Sequence, residues 1–386
     1  MSQTKVEAPF VDNNNVRFKN LIINGDMQIA QRTASATASG GNSIAYTTLD
    51  RFGFTNSLNG GYTSAQTALS AADQATTGQV KTLDIQCTTA DTSILAADYA
   101  AVQQKIEAQN CQHLLWGTSA AKKLTVSFYI KSNLTGTTCG TIVKNDSTTY
   151  YYPFEFTINS ANTWEKKSVV IEPDSNIQSS AGAIANDNGV GLQLFINLAL
   201  GSNSTGGTNR TWTTSAKYAT SNQLNFLSST DNDLFLTGVQ LEVGDQATDF
   251  EHLPHDIQLQ RCMRYCYVHN NDADSNQALI FPGASRGSTS KFFYIQHPTP
   301  MRDTPSVTVS GEIRLIGTNT NDEEEGNDTL VVGGVTPTVQ GQNANEKGVT
   351  LSYSGSVSGL TDTANSGYML MFIKETDNKL TIDAEL

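Results

Sequence analysis

The sequence predicts an all-β protein: a jelly-roll-like β-sandwich, then a short helical connector and a smaller C-terminal β-sandwich. Charged residues make up only 16% of the 386 residues, whereas roughly 25% is typical of soluble globular domains. Thr, Ser, Asn, Gln and Gly fill the difference, and they suit turns and exposed strand faces better than helices. Short alternating segments also recur between turn-rich stretches, a pattern that is typical of β-sandwiches.

The strands of the first sandwich are predicted from alternation. In 124–130 the apolar residues occupy every second position, which places them on one strand face. Similar segments lie at 150–158, 164–171, 192–200 and 234–241. A short buried strand is also predicted at 21–23, because the turn signal Asn24-Gly25 follows it. We assign the whole block, 20–252, to one jelly-roll-like domain.

Two helices are predicted from apolar spacing. The first covers an open end of the sandwich, since four apolar residues fall on one helix face: Leu95, Tyr99, Val102 and Ile106. The second follows Pro254, a residue that suits the first turn of a helix. Its apolar face consists of Leu259, Cys262, Met263 and Cys266. This second helix is the predicted connector, 253–268.

The two ends of the chain have different sequence patterns. Residues 269–386 return to a β pattern, with strands predicted at 306–309, 312–316, 349–353, 368–373 and 380–382. The acidic tract 319–328 is predicted to be a solvated loop, and cation binding there is left open. Residues 1–19 carry few large apolar residues, so we expect an arm that becomes ordered against a partner or within a trimer.

Charge and hydropathy exclude several classes of partner. The net charge of −13 argues against nucleic acid and against an anionic membrane surface, because both attract clusters of Lys and Arg. No run approaches the 18 apolar residues of a membrane-spanning helix. The first ten residues lack the basic and apolar regions of a secretory signal. We therefore expect that the protein does not insert into a membrane. We also expect that it assembles in a cytoplasm.

No catalytic motif stands out, so an enzyme is not expected. The sequence lacks Gly-x-Ser-x-Gly, a phosphate-binding Gly-rich loop and His-Glu-x-x-His. A catalytic pair of carboxylates, as in glycosidases, remains an alternative, because the required separation of roughly 5–10 Å cannot be determined from the sequence. The five cysteines are predicted to be buried free thiols, because Cys262 and Cys266 with nearby His255 and His269 match no common zinc spacing.

Glycan binding is the more specific functional prediction. Sugar sites combine an aromatic platform with amide and carboxylate groups that bind hydroxyls. Trp164 lies beside an alternating strand and is predicted to be a core residue, whereas Trp212 lies in a polar loop. In the run 150–152, side chains must alternate between the two sheet faces, so at least one tyrosine should be exposed. The candidate glycan-binding residues are Trp212, Tyr150, Tyr152 and Trp116.

Several segments, in order along the chain, resemble a family of phage tail-fibre and virion structural proteins. The opening segment, 20–32, has the sequence NLIINGDMQIAQR, and the next landmark, 46–52, contains Leu49-Asp50-Arg51. Further matching segments lie at 104–107, 124–132, 239–251, 261–265, 300–305 and 383–386. The resemblance covers 20–386, which makes it more specific than any single motif.

The resemblance implies a carbohydrate-binding-module-like first domain and a place in a bacteriophage virion. It suggests a receptor-binding tail-fibre or tip subunit that contacts bacterial surface glycans as a homotrimer, with residues 1–19 attaching to other tail or capsid proteins. A head fibre, capsid decoration or tail adaptor is the alternative, and a polysaccharide depolymerase ranks below both. Related jelly rolls often hold a structural calcium ion near their first and last strands. The corresponding ligands here would be Asn24, Asp26 and Glu242, and no other cofactor is expected.

Four residues of these motifs are predicted to stabilise the fold. Asp50 and Arg51 should pair internally or hydrogen-bond to turn backbone. Glu242 alternates with apolar neighbours on its strand and is expected to pair with Arg32 or Arg51. Phe250 is predicted to plug an end of the sandwich.

Overall fold

The computed structural model describes residues 18–270, 280–285, 290–310, 313–317, 338–354, 367–372 and 379–386. The acidic tract 319–328 lies outside the described residues, as does the predicted N-terminal arm apart from Phe18 and Lys19.

Ten antiparallel strands build the first sandwich. In chain order they are β1 (Ser35–Ala45), β2 (Gly53–Ala68), β3 (Lys81–Thr89), β4 (Tyr99–Glu107), β5 (Leu124–Ser132), β6 (Gly136–Lys144), β7 (Tyr150–Ile158), β8 (Glu165–Ile171), β9 (Val190–Leu200) and β10 (Asp233–Val243). A short helix, α1 (Ala71–Thr77), joins β2 to β3, and the Ser70 side chain caps it by accepting from the backbone N–H of Asp73.

The strand order shows how the sandwich closes. The path runs β7-β6-β9-β4-β2-β3-β10-β5-β8, and β1 also pairs with β2. The 16-residue β2 belongs to both layers, because its start pairs with β4 and its later part pairs with β3. Phe128 of β5 and Phe156 of β7 stand far apart in this order, yet their ring centroids are 5.0 Å apart. The two layers therefore face each other, which confirms the predicted jelly-roll-like β-sandwich.

The apolar face predicted for 124–130 is confirmed by its place in the core. Leu124, Val126, Phe128 and Ile130 have no solvent exposure and join one core. Burying each such side chain contributes roughly 1.5–3 kcal/mol. All five cysteines are free and buried, as predicted.

The predicted helix around Tyr99 is wrong. Residues Tyr99–Glu107 form β4, and Leu95 precedes it with 61% of its surface exposed. β4 lies between β2 and β9, and most residues on both of its faces are buried, so polar residues do not alternate with apolar ones. A strand buried on both faces loses the period of two, and helix-like spacing then arises by chance.

The predicted strand at 21–23 is also wrong, although its residues are buried. The amide of Ile23 donates to Oε1 of Gln104 at 2.7 Å, and Nε2 of Gln104 donates back to the Ile23 carbonyl oxygen at 2.9 Å. One glutamine side chain thus replaces a neighbouring strand, which satisfies the buried backbone without a ladder.

The connector helix, α2 (His255–Met263), is confirmed but ends earlier than predicted. Cys266, predicted on its apolar face, instead begins β11 (Cys266–Asn270) and pairs with Asp383. The following strands are β12 (Ile280–Ser285), β13 (Ser290–Gln296), β14 (Ser306–Ser310), β15 (Ile313–Gly317), β16 (Thr338–Asn345), β17 (Gly348–Ser354), β18 (Gly367–Phe372) and β19 (Lys379–Asp383).

These C-terminal strands form two smaller sheets with a shared core. One sheet has the order β11-β19-β14 and the other β15-β18-β12-β13-β17-β16. Tyr267 and Ile382 of the first sheet pack in one cluster with Phe293 and Leu351 of the second. The domain boundaries at 252, 268 and 269 stay predictions.

A histidine pair lies in this second core. The Tyr267 hydroxyl contacts Nδ1 of His297 at 2.6 Å, and the Tyr267 ring packs edge-on against His269 and His297. Nε2 of each histidine is buried and has no hydrogen-bond partner among the described residues. Protonation would therefore place a charge in an apolar setting.

We expect the histidine pair to make stability fall in mild acid. Burial lowers the pKa of His269 and His297, so the unfolded chain binds protons first as the pH falls below about 6.5. Each histidine should then remove up to about 1.4 kcal/mol per pH unit. Urea unfolding from pH 7.5 to pH 5 measures this slope. His297→Gln should flatten the slope, whereas exposed His252→Gln should not; equal slopes in all three proteins would contradict the prediction.

Candidate functional site

A groove of about 280 Å³ crosses the outer face of the layer that contains β9, β4 and β2. Its lining residues are Ile44, Thr55, Tyr99, Gln103, Gln193, Phe195, Ser204 and Tyr218. Strand alternation explains this lining. On β9, Leu194 and Ile196 enter the core, so Gln193 and Phe195 point to the opposite face.

Aromatic rings form the floor and one wall of the groove. Phe195 is only 2% exposed. Its ring packs edge-on against Tyr99 and Tyr218, with centroid distances of 6.4 and 5.1 Å. Tyr218 also contacts Tyr151 at 5.1 Å. Tyr99 and Tyr218 are half-buried, so part of each ring faces the groove as an apolar surface.

The hydroxyls of these tyrosines stay protonated. Burial raises the pKa of Tyr99, and the neighbouring Tyr218 adds to that effect. Burial likewise raises the pKa of Tyr218, with a further contribution from Tyr151. Each hydroxyl can therefore donate as well as accept hydrogen bonds across the neutral pH range.

Amide groups beside the aromatic wall are incompletely paired. Nε2 of Gln193 donates to Oδ1 of Asn145 at 3.1 Å. Oε1 of Gln103, Nδ2 of Asn145 and Oδ1 of Asn197 are buried and have no hydrogen-bond partner within the described residues. Each such atom costs about 1–3 kcal/mol. Of these three residues Gln103 lines the groove, so its oxygen is the one that a small side-chain rotation would bring to a ligand.

No charged side chain lines the groove among the residues that the structure describes. The nearby lysines are occupied elsewhere. Lys217 donates to the backbone oxygens of Ser202 and Asn203 at 3.2 and 2.8 Å, and Lys105 donates to the Leu386 oxygen at 2.7 Å. The groove is therefore suited to an uncharged polar ligand.

Hydrogen bonds to its backbone hold the segment that carries Tyr218 in place. The Tyr218 amide donates to the Ser204 oxygen at 2.8 Å, and Nδ2 of Asn197 donates to the Tyr218 oxygen at 2.8 Å. Gly201 starts this segment, and a Cβ there would lie 1.9 Å from the Leu95 oxygen. The close approach needs glycine, and it holds the wall of the groove before any ligand arrives.

The predicted sugar platforms lie elsewhere, and the expected exposure of Trp212 is wrong, while the glycan-binding role of the four residues stays a prediction. Trp212 is 5% exposed and Trp116 is 6% exposed. They pack edge-on at 5.4 Å, and Trp212 also contacts the ring of Tyr152 at 4.8 Å. Nε1 of Trp212 donates to the Glu172 oxygen at 2.8 Å. Tyr150 and Tyr152 also belong to this core, because both point inward from β7. The polar residues around Trp212 suggested exposure, but distant segments cover its ring.

The three predicted calcium ligands have separate hydrogen-bond partners. The Asn24 side chain accepts from the Ile29 amide and donates to two backbone oxygens. Asp26 accepts from Gln258, whereas Glu242 accepts from Gln240 and Thr248. Within the described part of the chain, no group of three or more His, Cys, Asp or Glu could hold a metal ion.

Arg51 is a buried structural residue, as predicted. Its guanidinium forms an ion pair with Glu385, and its Cζ atom lies 3.4 Å from the centre of the Tyr265 ring. Arg32 pairs with Asp383 at 2.8 Å. Residues 383–386, here called the C-terminal latch, thus bind to the first sandwich.

The other structural predictions have mixed outcomes. Asp50 accepts from the Gln31 amide at 3.0 Å and so bonds to turn backbone. The expected pairing of Glu242 with Arg32 or Arg51 is wrong, because both arginines bind the latch while Glu242 approaches Lys19 at 3.8 Å. Phe250 is half-buried and packs against His252, and its role as a plug stays a prediction.

Sequence reasoning missed the groove residues. Gln193 and Phe195 could have been found, since they alternate with leucines on a predicted strand. Tyr99 and Gln103 could not, because their strand was assigned to a helix. Tyr218 lies outside any strand and reaches the groove only through tertiary packing.

No helix among the described residues is long and apolar enough to span a membrane. No protein-family model and no curated protein matches the chain.

Solved structures give partial matches. A family 11 carbohydrate-binding module from Clostridium thermocellum, in complex with a β-1,3-1,4-mixed-linked tetrasaccharide, is 11% identical with a TM-score of 0.26 and covers 56% of this chain and 100% of its own. TmCBM61, in complex with β-1,4-galactotriose, is 10% identical with a TM-score of 0.26, over 58% of this chain and 99% of its own. The enzymatically active domain of tailspike protein 4 from bacteriophage CBA120 is 10% identical with a TM-score of 0.27, over 59% of this chain and 22% of its own. At these identities and TM-scores, none of the three is evidence for the activity of this chain.

Proposed function

We propose that this protein is a glycan-binding protein that holds an uncharged sugar chain in the groove and performs no reaction on it. One observation carries the proposal. The groove combines two half-buried tyrosines on a phenylalanine floor with neutral amides, one of which, Gln103, has an unpaired oxygen.

The chemistry of a sugar fits these groups. One face of a pyranose ring is a surface of C–H groups, which packs on an aromatic ring such as Tyr99 or Tyr218. Its hydroxyls both donate and accept, so they can bind the Gln193 and Gln103 amides after small side-chain rotations. Uncharged lining residues offer no compensation for a carboxylate or phosphate, so a charged glycan would lose hydration without a partner.

We further propose that the protein belongs to a bacteriophage particle as a receptor-binding tail-fibre or tip subunit. The ordered sequence resemblance over 20–386 supports this part of the proposal. A homotrimer would hold three grooves together, and multivalent attachment raises avidity without new contacts at any one site.

Tyr99→Ala is expected to weaken glycan binding at least about tenfold, since it removes an aromatic surface worth about 1.4 kcal/mol or more. A glycan array selects the ligand, and isothermal titration calorimetry of the full chain measures the affinity. Tyr129→Ala is the matched control, because Tyr129 is also half-buried but lies on β5 of the other layer.

Gln103→Met distinguishes an effect on glycan affinity from an effect on stability. It removes the unpaired buried oxygen, so the melting temperature should hold or rise while affinity falls. An unchanged affinity in Tyr99→Ala would count against the proposal. So would the absence of binding both to the glycan array and to whole host cells, a result that would favour a purely structural role in the virion.

A further inference from the structure

A second cavity, of about 560 Å³, lies away from the groove, where α2 meets the first sandwich and the C-terminal strands. Leu21, Ile23, Ile257 and Tyr265 supply its apolar surface. Phe18 stands among the lining residues with 50% of its surface exposed. The volume falls within the roughly 300–1,000 Å³ of small-ligand sites, and the walls suit an apolar group.

Two arginines of α2 and its C-cap line this cavity, and they differ in their partners. Arg264 forms a bidentate ion pair with buried Glu107, with both N···O distances at 2.8 Å. Arg261 has no carboxylate partner at ion-pair distance among the residues that the structure describes. It donates to the Asn20 oxygen at 3.3 Å and lies 5.8 Å from the centre of the Phe18 ring.

The surroundings compensate the Arg261 charge only in part. The charge of Glu251 favours the protonated guanidinium, but its two oxygens accept from the amides of Lys19 and Asn20 at 3.1 and 2.9 Å rather than from Arg261. No Asp or Glu appears among the described lining residues, whereas His113, Arg261 and Arg264 do. Burial accordingly lowers the pKa of Arg261. A guanidinium that has no carboxylate at ion-pair distance and lies beside apolar walls can form charge-assisted hydrogen bonds to the carboxylate of a ligand.

We propose that this cavity binds a ligand that carries a carboxylate next to an apolar group, with the carboxylate on Arg261 and the apolar part against Leu21, Ile23 and Ile257. Such a ligand is either a small organic acid or an acidic side chain beside an apolar residue in a peptide. The two sources share the same chemistry, and separate probes distinguish them.

Titration calorimetry of the full chain tests the proposal with paired probes. The small-acid arm compares 3-phenylpropionate with 3-phenylpropionamide, and the peptide arm compares N-acetyl-Phe-Asp-amide with N-acetyl-Phe-Asn-amide. In at least one arm the acid should bind at least about tenfold more tightly than its amide, as expected for a charge-assisted hydrogen bond. The arm that responds identifies the source.

Two variants in the cavity and one control variant outside it locate the bound probe. Arg261→Gln should abolish the preference for the acid, whereas Arg210→Gln, at an exposed arginine, should retain it. Ile257→Trp keeps Arg261 but fills the cavity, so it should prevent binding. Melting curves of each variant identify any that fail to fold. The proposal is overturned if no probe binds the wild-type chain, if acid and amide bind equally, or if folded Arg261→Gln keeps the preference.

Discussion

Arg51→Ala is expected to lower the free energy of unfolding by about 3–5 kcal/mol, because it breaks a buried ion pair and leaves the Glu385 carboxylate with Arg32, at 3.4 Å, as its remaining ion-pair partner. Arg51 is 1% exposed, and the side chain of its partner Glu385 is 5% exposed. The same substitution removes the hydrogen bond from Nη2 of Arg51 to the Lys105 oxygen, at 2.6 Å, and the stacking on Tyr265. Chemical denaturation followed by circular dichroism measures the change.

A double-mutant cycle isolates the pair. Arg51→Ala with Glu385→Ala should destabilise less than the sum of the single changes, since removing both charges leaves neither one unpaired. Lys123→Ala is the control, because Lys123 and Glu172 form an exposed ion pair and such pairs rarely contribute measurably. Equal unfolding midpoints for Arg51→Ala and the wild type would contradict the buried latch.

Trp212→Ala should cost about 3–5 kcal/mol of unfolding free energy, as expected for removing a large aromatic side chain from a core. The indole packs between Trp116 and Tyr152, and its N–H donates to the Glu172 oxygen. The substitution therefore leaves both a cavity and an unpaired carbonyl. Thermal and urea unfolding measure the loss.

This substitution also separates two roles for Trp212. An exposed sugar platform would lose affinity while the unfolding midpoint stayed the same. A core residue loses stability first, and we expect that order. Trp212→Phe should recover part of the stability, because it refills most of the cavity. Tyr99→Ala provides the opposite case, with reduced affinity and a smaller change in the unfolding midpoint.

Through the latch, the C-terminal strands contribute to the stability of the first sandwich. Arg302 donates from Nε to the Ala384 oxygen at 2.8 Å, and the Ala384 amide donates to the Tyr265 oxygen at 2.7 Å. Residues almost at the end of the chain thus pair with Arg32 and Arg51 near its start. Truncating 383–386 should therefore destabilise the first sandwich as well as β19.

The sequence by itself determined which segments alternate, and through that the fold class and several strands. The strand at 150–158 was predicted with the bounds that the structure gives, because one of its faces is buried and aromatic residues repeat with a period of two. Tertiary structure alone decided the rest. Most residues on both faces of β4 are buried, so its pattern has no period of two. Trp212 is buried by segments distant in sequence. The groove likewise joins β2, β4 and β9 with the segment that carries Tyr218. Contacts between such distant residues depend on strand order and layer packing, which local side-chain periodicity does not encode.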